Sequence, residues 1–129
     1  MADERYTKSH EWTRLEDGVV VIGITQHAVD ELNDLTFLDY RVAAGDAIAV
    51  GDVFGEIDSV KATSELFAPV DGTVEAINER FSSEEELPAI NEDPMGAGWL
   101  VKIKASDPTQ LDGLMDAAAY AEHCANGDH

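Results

Sequence analysis

The chain has 129 residues, 44% of them hydrophobic, which suits one domain with a core of its own. Its 27 acidic residues against 8 basic ones leave a net charge of −19, which argues against nucleic acid and anionic membranes, because phosphates would be repelled. Cys124 is the one cysteine, so an internal disulfide is excluded; with no apolar run of membrane-span length and no apolar leader at the start, the expectation is a soluble, cytoplasmic protein. The acidity reads as solubility or salt adaptation, while leaving room for a basic docking face on a partner.

Residues 18–25, GVVVIGIT, follow Asp17 and read as a buried strand. Thr25 is placed to cap a short helix, Gln26–Leu32, with Ala28, Val29 and Leu32 at helical spacing. Short apolar pieces fill 35–70, parted at 44–46, at 51–52 and around Lys61. Asp71 and Gly72 then turn the chain into a strand at 73–77. Strands at this spacing predict a mainly β fold, a compact sandwich or barrel of mostly antiparallel strands.

Residues 81–98 are polar, with turn residues at Pro88, Pro94, Gly96 and Gly98, and read as loop with one helical turn. A last strand is expected at 99–104. Asp107 and Pro108 announce a C-terminal helix over about 107–123, with Gln110 completing a variant capping box. Leu111, Leu114, Met115 and Ala118 would form its apolar stripe.

Catalytic and metal-binding patterns are sparse. His10, His27, His123 and His129 are scattered, Cys124 sits in an unremarkable context, and neither a Walker loop nor G-x-G-x-x-G occurs. Ser9, His10 and Glu11 are adjacent in sequence, which is not how triads are built. The expectation is therefore no catalytic residue and no metal ligand.

Lys61 stands out by its surroundings. Between Arg41 and Arg80 it is the sole basic residue among eight carboxylates: Asp46, Asp52, Glu56, Asp58, Glu65, Asp71, Glu75 and Glu79. It lies between strand-like stretches at 53–57 and 66–70, at a predicted hairpin tip. A Schiff-base lysine needs a lowered pKa, and neighbouring carboxylates work the other way. On spacing alone Lys61 is a solvated lysine; if functional, it is an attachment point.

The motifs YTKSHEW at 6–12, VIGIT at 21–25, GEIDSVKATSELFAPVDGTVEAIN at 55–78, NEDP at 91–94 and GWLVKIK at 98–104 occur in that order. Together they resemble the H-protein of the glycine cleavage system, over about residues 6–120. The resemblance implies a barrel-sandwich hybrid of the lipoyl/biotinyl-carrier kind, one domain over 1–129. It would have short flanking helices, a C-terminal helix and a lipoyl hairpin at about 55–70. It implies lipoate in amide linkage on Lys61 and a non-catalytic carrier role.

In that role the chain would take an aminomethyl group from a pyridoxal-phosphate-dependent glycine decarboxylase to a tetrahydrofolate-dependent aminomethyltransferase. Electrons would pass to a dihydrolipoyl dehydrogenase, and a lipoyl ligase or lipoyltransferase would load the lysine. A cleft for the arm is implied near Ser9 and Glu11, with Glu31, Asp58 and Glu65 as further cleft or recognition residues. A carboxylate there would favour the charged form of a bound amine. Asp58 stands in place of the family's usual Glu, Asn33 of a Gly, Tyr40 and Arg41 of Leu-Pro, and Met95 of an aromatic. A lipoyl-relay protein, or a lipoyl or biotinyl domain of another complex, are the alternatives.

Overall fold

The computed structural model describes residues 4–7, 10–16, 18–32, 35–82, 84–94, 96 and 98–125. Strands β1 (Glu4–Tyr6), β2 (Glu11–Glu16) and β3 (Val19–Ile24) form an antiparallel meander. Helix α1 (Gln26–Leu32) leads to β4 (Leu35–Tyr40), β5 (Ala47–Ile48), β6 (Val53–Ser59), β7 (Thr63–Phe67) and β8 (Gly72–Ile77). Helix α2 (Pro88–Glu92), β9 (Val101–Ala105) and helix α3 (Ala117–Ala125) complete the chain. The strands make two sheets, ordered β1-β2-β3-β9-β8-β5 and β4-β6-β7, with every pairing antiparallel. The mainly β fold expected from the sequence is the one observed.

Two clusters explain the unbroken apolar run in β3. Val20, Ile22 and Ile24 face the large core between the sheets, with Phe54, Ile57, Leu66 and Ile103. Val21 faces the other way, into a smaller cluster with Tyr6, Trp12 and Tyr120. A strand buried on both faces has no use for alternation. Tyr40, at a position where the resemblance expects Leu, ties the layers together: its hydroxyl reaches the carbonyls of Asn78 and Leu100, each at 3.0 Å.

Several expectations need correction. The return strand of the hairpin is Thr63–Phe67, not 66–70, because Pro69 has no N–H to extend the ladder and the chain crosses to the other sheet. At Gly72 an added Cβ would lie 2.2 Å from the Lys104 carbonyl, so only glycine fits that crossing. The stretch at 81–98 is not chiefly loop: 3₁₀ turns at Glu79–Ser82 and Glu84–Glu86 precede α2, and Phe81, Leu87 and Ile90 are buried. The last strand is Val101–Ala105 rather than 99–104.

The helix expected over 107–123 is two pieces, a 3₁₀ turn Pro108–Gly113 and α3. Met115 breaks it by bridging Tyr6, with N···O distances of 2.8 and 3.1 Å. That bridge covers the outer edge of β1. Asp107 does cap, accepting from Thr109 N, but Gln110 turns away to Asp71, so the capping box is not formed. Leu111 is buried while Ala118 is exposed, so the stripe is not one face. No helix among the described residues is long and apolar enough to cross a membrane.

Candidate functional site

The hairpin β6–β7 is the middle and edge of the smaller sheet, held on one side by β4 through Leu35↔Ser59 and Tyr40↔Gly55. Phe54, Ile57 and Leu66 anchor it in the core. Its tip is a tight turn built by one side chain. Ser59 N donates to Ala62 O at 2.9 Å, and Ser59 Oγ accepts from the N–H groups of Lys61 and Ala62, both at 3.1 Å. The serine hydroxyl thus satisfies donors that a two-stranded tip leaves exposed.

Lys61 stands at this tip, exposed, beside Val60, whose exposure is 65%. Among the described residues its Nζ makes no ion pair. Half of the acidic residues counted around it in the sequence are occupied with local structure. Asp46 and Asp52 accept from Ala43 N and Ala49 N, Asp71 accepts from Val50 N, and Glu56 pairs with Arg41 at 2.8 Å. Asp58 lies on β6 opposite Thr63, just before the turn. Its Oδ1 is buried and meets no hydrogen-bond donor among the described residues.

Glu11 is fully buried. Thr7 Oγ1 donates to its Oε1 at 2.7 Å and accepts from its N–H at 3.0 Å, and Phe67 N–H points at its Oε2 at 3.5 Å. That carboxylate therefore joins the β1–β2 turn to the base of the hairpin. Phe67 is four residues beyond the start of β7, so Glu11 lies on the order of 15 Å along the strand from the tip. Trp12, next in sequence, is completely buried and donates from Nε1 to Pro94 O at 2.8 Å. Its ring lies on Gly23, where an added Cβ would come within 2.7 Å.

The profile of the family described as Glycine cleavage H-protein matches residues 4–127. The chain belongs to the glycine cleavage H-protein family. It is 46% identical over 118 residues to the Glycine cleavage system H protein of Myxococcus xanthus, covering 92% of this chain and 89% of that one. It is 42% identical over 125 residues to that of Thermotoga maritima, covering 97% and 98%. The crystal structure of a glycine cleavage system H protein from Mycobacterium marinum superposes with a TM-score of 0.82 at 32% identity, covering 95% of this chain and 97% of that one. The function expected from the sequence, a carrier of the glycine cleavage system, is the function of this family.

Of the site residues expected from the sequence, Lys61 and Asp58 share the hairpin tip, and Glu65 is exposed on β7 opposite Glu56. Glu31 is exposed at the end of α1, its Oε1 3.8 Å from His27 Nε2. Glu11 is at the hairpin's base and buried. Ser9 lies outside the described residues, as do Asp17, Asn33, Met95 and His129. Sequence reasoning missed the parts played by Ser59, Thr7 and Tyr120. Ser59, two residues before the lysine, carried a readable turn signal; Thr7 and Tyr120 act only through contacts made in space.

Proposed function

We propose that Lys61 is acylated by lipoate through its Nζ and that the chain works as a non-catalytic carrier domain. The observation that supports this is an exposed lysine at a tip whose turn is closed by Ser59, on a hairpin whose strands are anchored in the core. The residues fit an amide-linked group. Lys61 is exposed, Val60 offers an exposed apolar neighbour, and Asp58 stands just before the turn on β6. Lipoate, when attached, supplies a dithiolane that takes up the one-carbon unit and electrons.

The chain's own residues hold and present. Ser59 fixes the direction of the tip, β4 stiffens the hairpin, and Glu11 couples the base of the hairpin to the N-terminal turn. Enclosed by Thr7 and the Phe67 N–H, Glu11 acts as a positioning residue, while Glu65 and Glu31 are exposed carboxylates, Glu31 beside His27. The partners of this reading are a pyridoxal-phosphate-dependent glycine decarboxylase, a tetrahydrofolate-dependent aminomethyltransferase, a dihydrolipoyl dehydrogenase and a lipoyl ligase or lipoyltransferase. Intact mass of the protein from its host tests it. One lipoyl group lost in Lys61→Arg is expected, since guanidinium forms no such amide; a lipoylated Lys61→Arg chain, or a biotinylated wild type, overturns it.

A further inference from the structure

We propose that His10, His27 and Cys124 bind a zinc ion where the start of β2, helix α1 and helix α3 meet. The three side chains offer one ligand atom each, and those atoms lie within 4.8 Å of one another. They come from three elements that the fold brings together: His10 precedes β2, His27 is in the first turn of α1, and Cys124 is in the last turn of α3. All three are half-buried, sheltered from bulk water yet open to an ion. The inference stands independently of the lipoyl assignment.

The surroundings hold these groups in place. The His10 and His27 rings are 4.6 Å apart between centroids, and the ring of His123 is 5.9 Å from His10. Tyr120 Oη lies 2.6 Å from His10 Nδ1 and 2.6 Å from Thr25 Oγ1, so the imidazole is oriented by a residue that is itself anchored. Orienting hydrogen bonds of this kind are the usual companions of metal-bound histidine. His10 also sits at φ 71°, a conformation that side chains other than glycine adopt at a cost.

Two imidazoles and a thiolate are a donor set suited to zinc rather than to calcium or magnesium, which take oxygen ligands. Tetrahedral zinc, with bonds of about 2.0–2.3 Å, places its ligand atoms roughly 3.3–3.7 Å apart. Closing from 4.8 Å is within reach of side-chain rotation. On binding, Cys124 releases its thiol proton to solvent and coordinates as the thiolate, with no change of oxidation state. Water, or the ring of His123 next in the chain, completes the fourth position. The net charge of −19 favours a cation throughout. The ion would also secure α3, in which Tyr120 is the one buried residue.

The test uses the full chain without lipoate, so that Cys124 is the single thiol in the protein. Titration with cobalt(II) under a phosphine reductant is expected to give a thiolate-to-cobalt charge-transfer band at one ion per chain, abolished by added zinc. In competition with a chromophoric chelator, Cys124→Ser and His27→Gln are each expected to weaken zinc binding at least about tenfold. An absent band, or wild-type affinity in either variant, overturns the proposal. Should a variant lose its fold, alkylation of Cys124 in the wild-type chain decides: zinc is expected to slow it at least tenfold, and an unchanged rate overturns the site.

Discussion

The tip of the β6–β7 hairpin and the seam where β1, β2 and α3 meet are built on opposite plans. The tip is made by four consecutive residues, 59–62, and one serine hydroxyl closes it. The seam draws on both ends of the chain: Tyr6 stacks on Tyr120 at 4.7 Å, Met115 bridges Tyr6, and Trp12 reaches Pro94. At the tip the side chains face solvent, and at the seam they are buried. On the carrier role proposed above, Lys61 must visit several partners, so its neighbourhood should tolerate change without unfolding the protein. The seam contributes stability, and changes there should register in the fold before they register in function.

The sharpest way to break this contrast is Lys61→Arg. Lipoyl-dependent turnover with the partner enzymes is expected to vanish, while the thermal midpoint stays at the wild-type value. A lowered midpoint would mean that the tip carries structural energy after all. At the seam, Trp12→Ala should cost about 3–5 kcal/mol in chemical denaturation, from lost burial and the cavity left behind. A loss below about 1 kcal/mol would show that the small cluster collapses around the gap.

Glu11→Gln probes the link between the two regions. It replaces one of the carboxyl oxygens that accept from Thr7 and Phe67 with an amide group and should cost about 1–3 kcal/mol. Wild-type stability in that variant would leave Glu11 without the anchoring role.

Alkali should find the seam, and Tyr40 between the sheets, before the tip. Burial raises the hydroxyls of Tyr40, Tyr120 and Tyr6 above the ordinary 10.0, with Cys124 adding to the rise at Tyr120 and Glu4 at Tyr6. An acid whose folded pKa is raised contributes stability that is fully present below the unfolded value, about pH 10, and lost as pH rises toward the folded one. Phenolate absorbance is therefore expected to appear together with loss of the near-ultraviolet dichroism. Three independent ionisations near pH 10 in an intact fold would contradict it.

The smallest effect belongs to Ser59→Ala, which uncaps two exposed N–H groups that water can serve. About 1 kcal/mol or less is expected in stability. The rate of lipoyl loading should fall more visibly, because the direction of the tip is relaxed. Loading at the wild-type rate would show that the strands alone aim Lys61.

What the sequence by itself determined was local: β-branched runs that became strands, Thr25 capping Gln26–Leu32 through Ala28 N at 3.2 Å, and a lysine isolated between two strands. Each rests on interactions spanning a few residues, where composition and spacing are informative. The resemblance of the ordered motifs extended this to the family. Only the tertiary structure decided that Glu11 is buried at the hairpin's base, that Gln110 serves Asp71, that Met115 splits the C-terminal helix, and that His10, His27 and Cys124 converge. Those outcomes depend on strand order and on how α3 returns across β1, which bring together residues that sequence separation keeps apart. Local propensity carries no term for such contacts; they arise when two sheets and a terminal helix bury their apolar faces together.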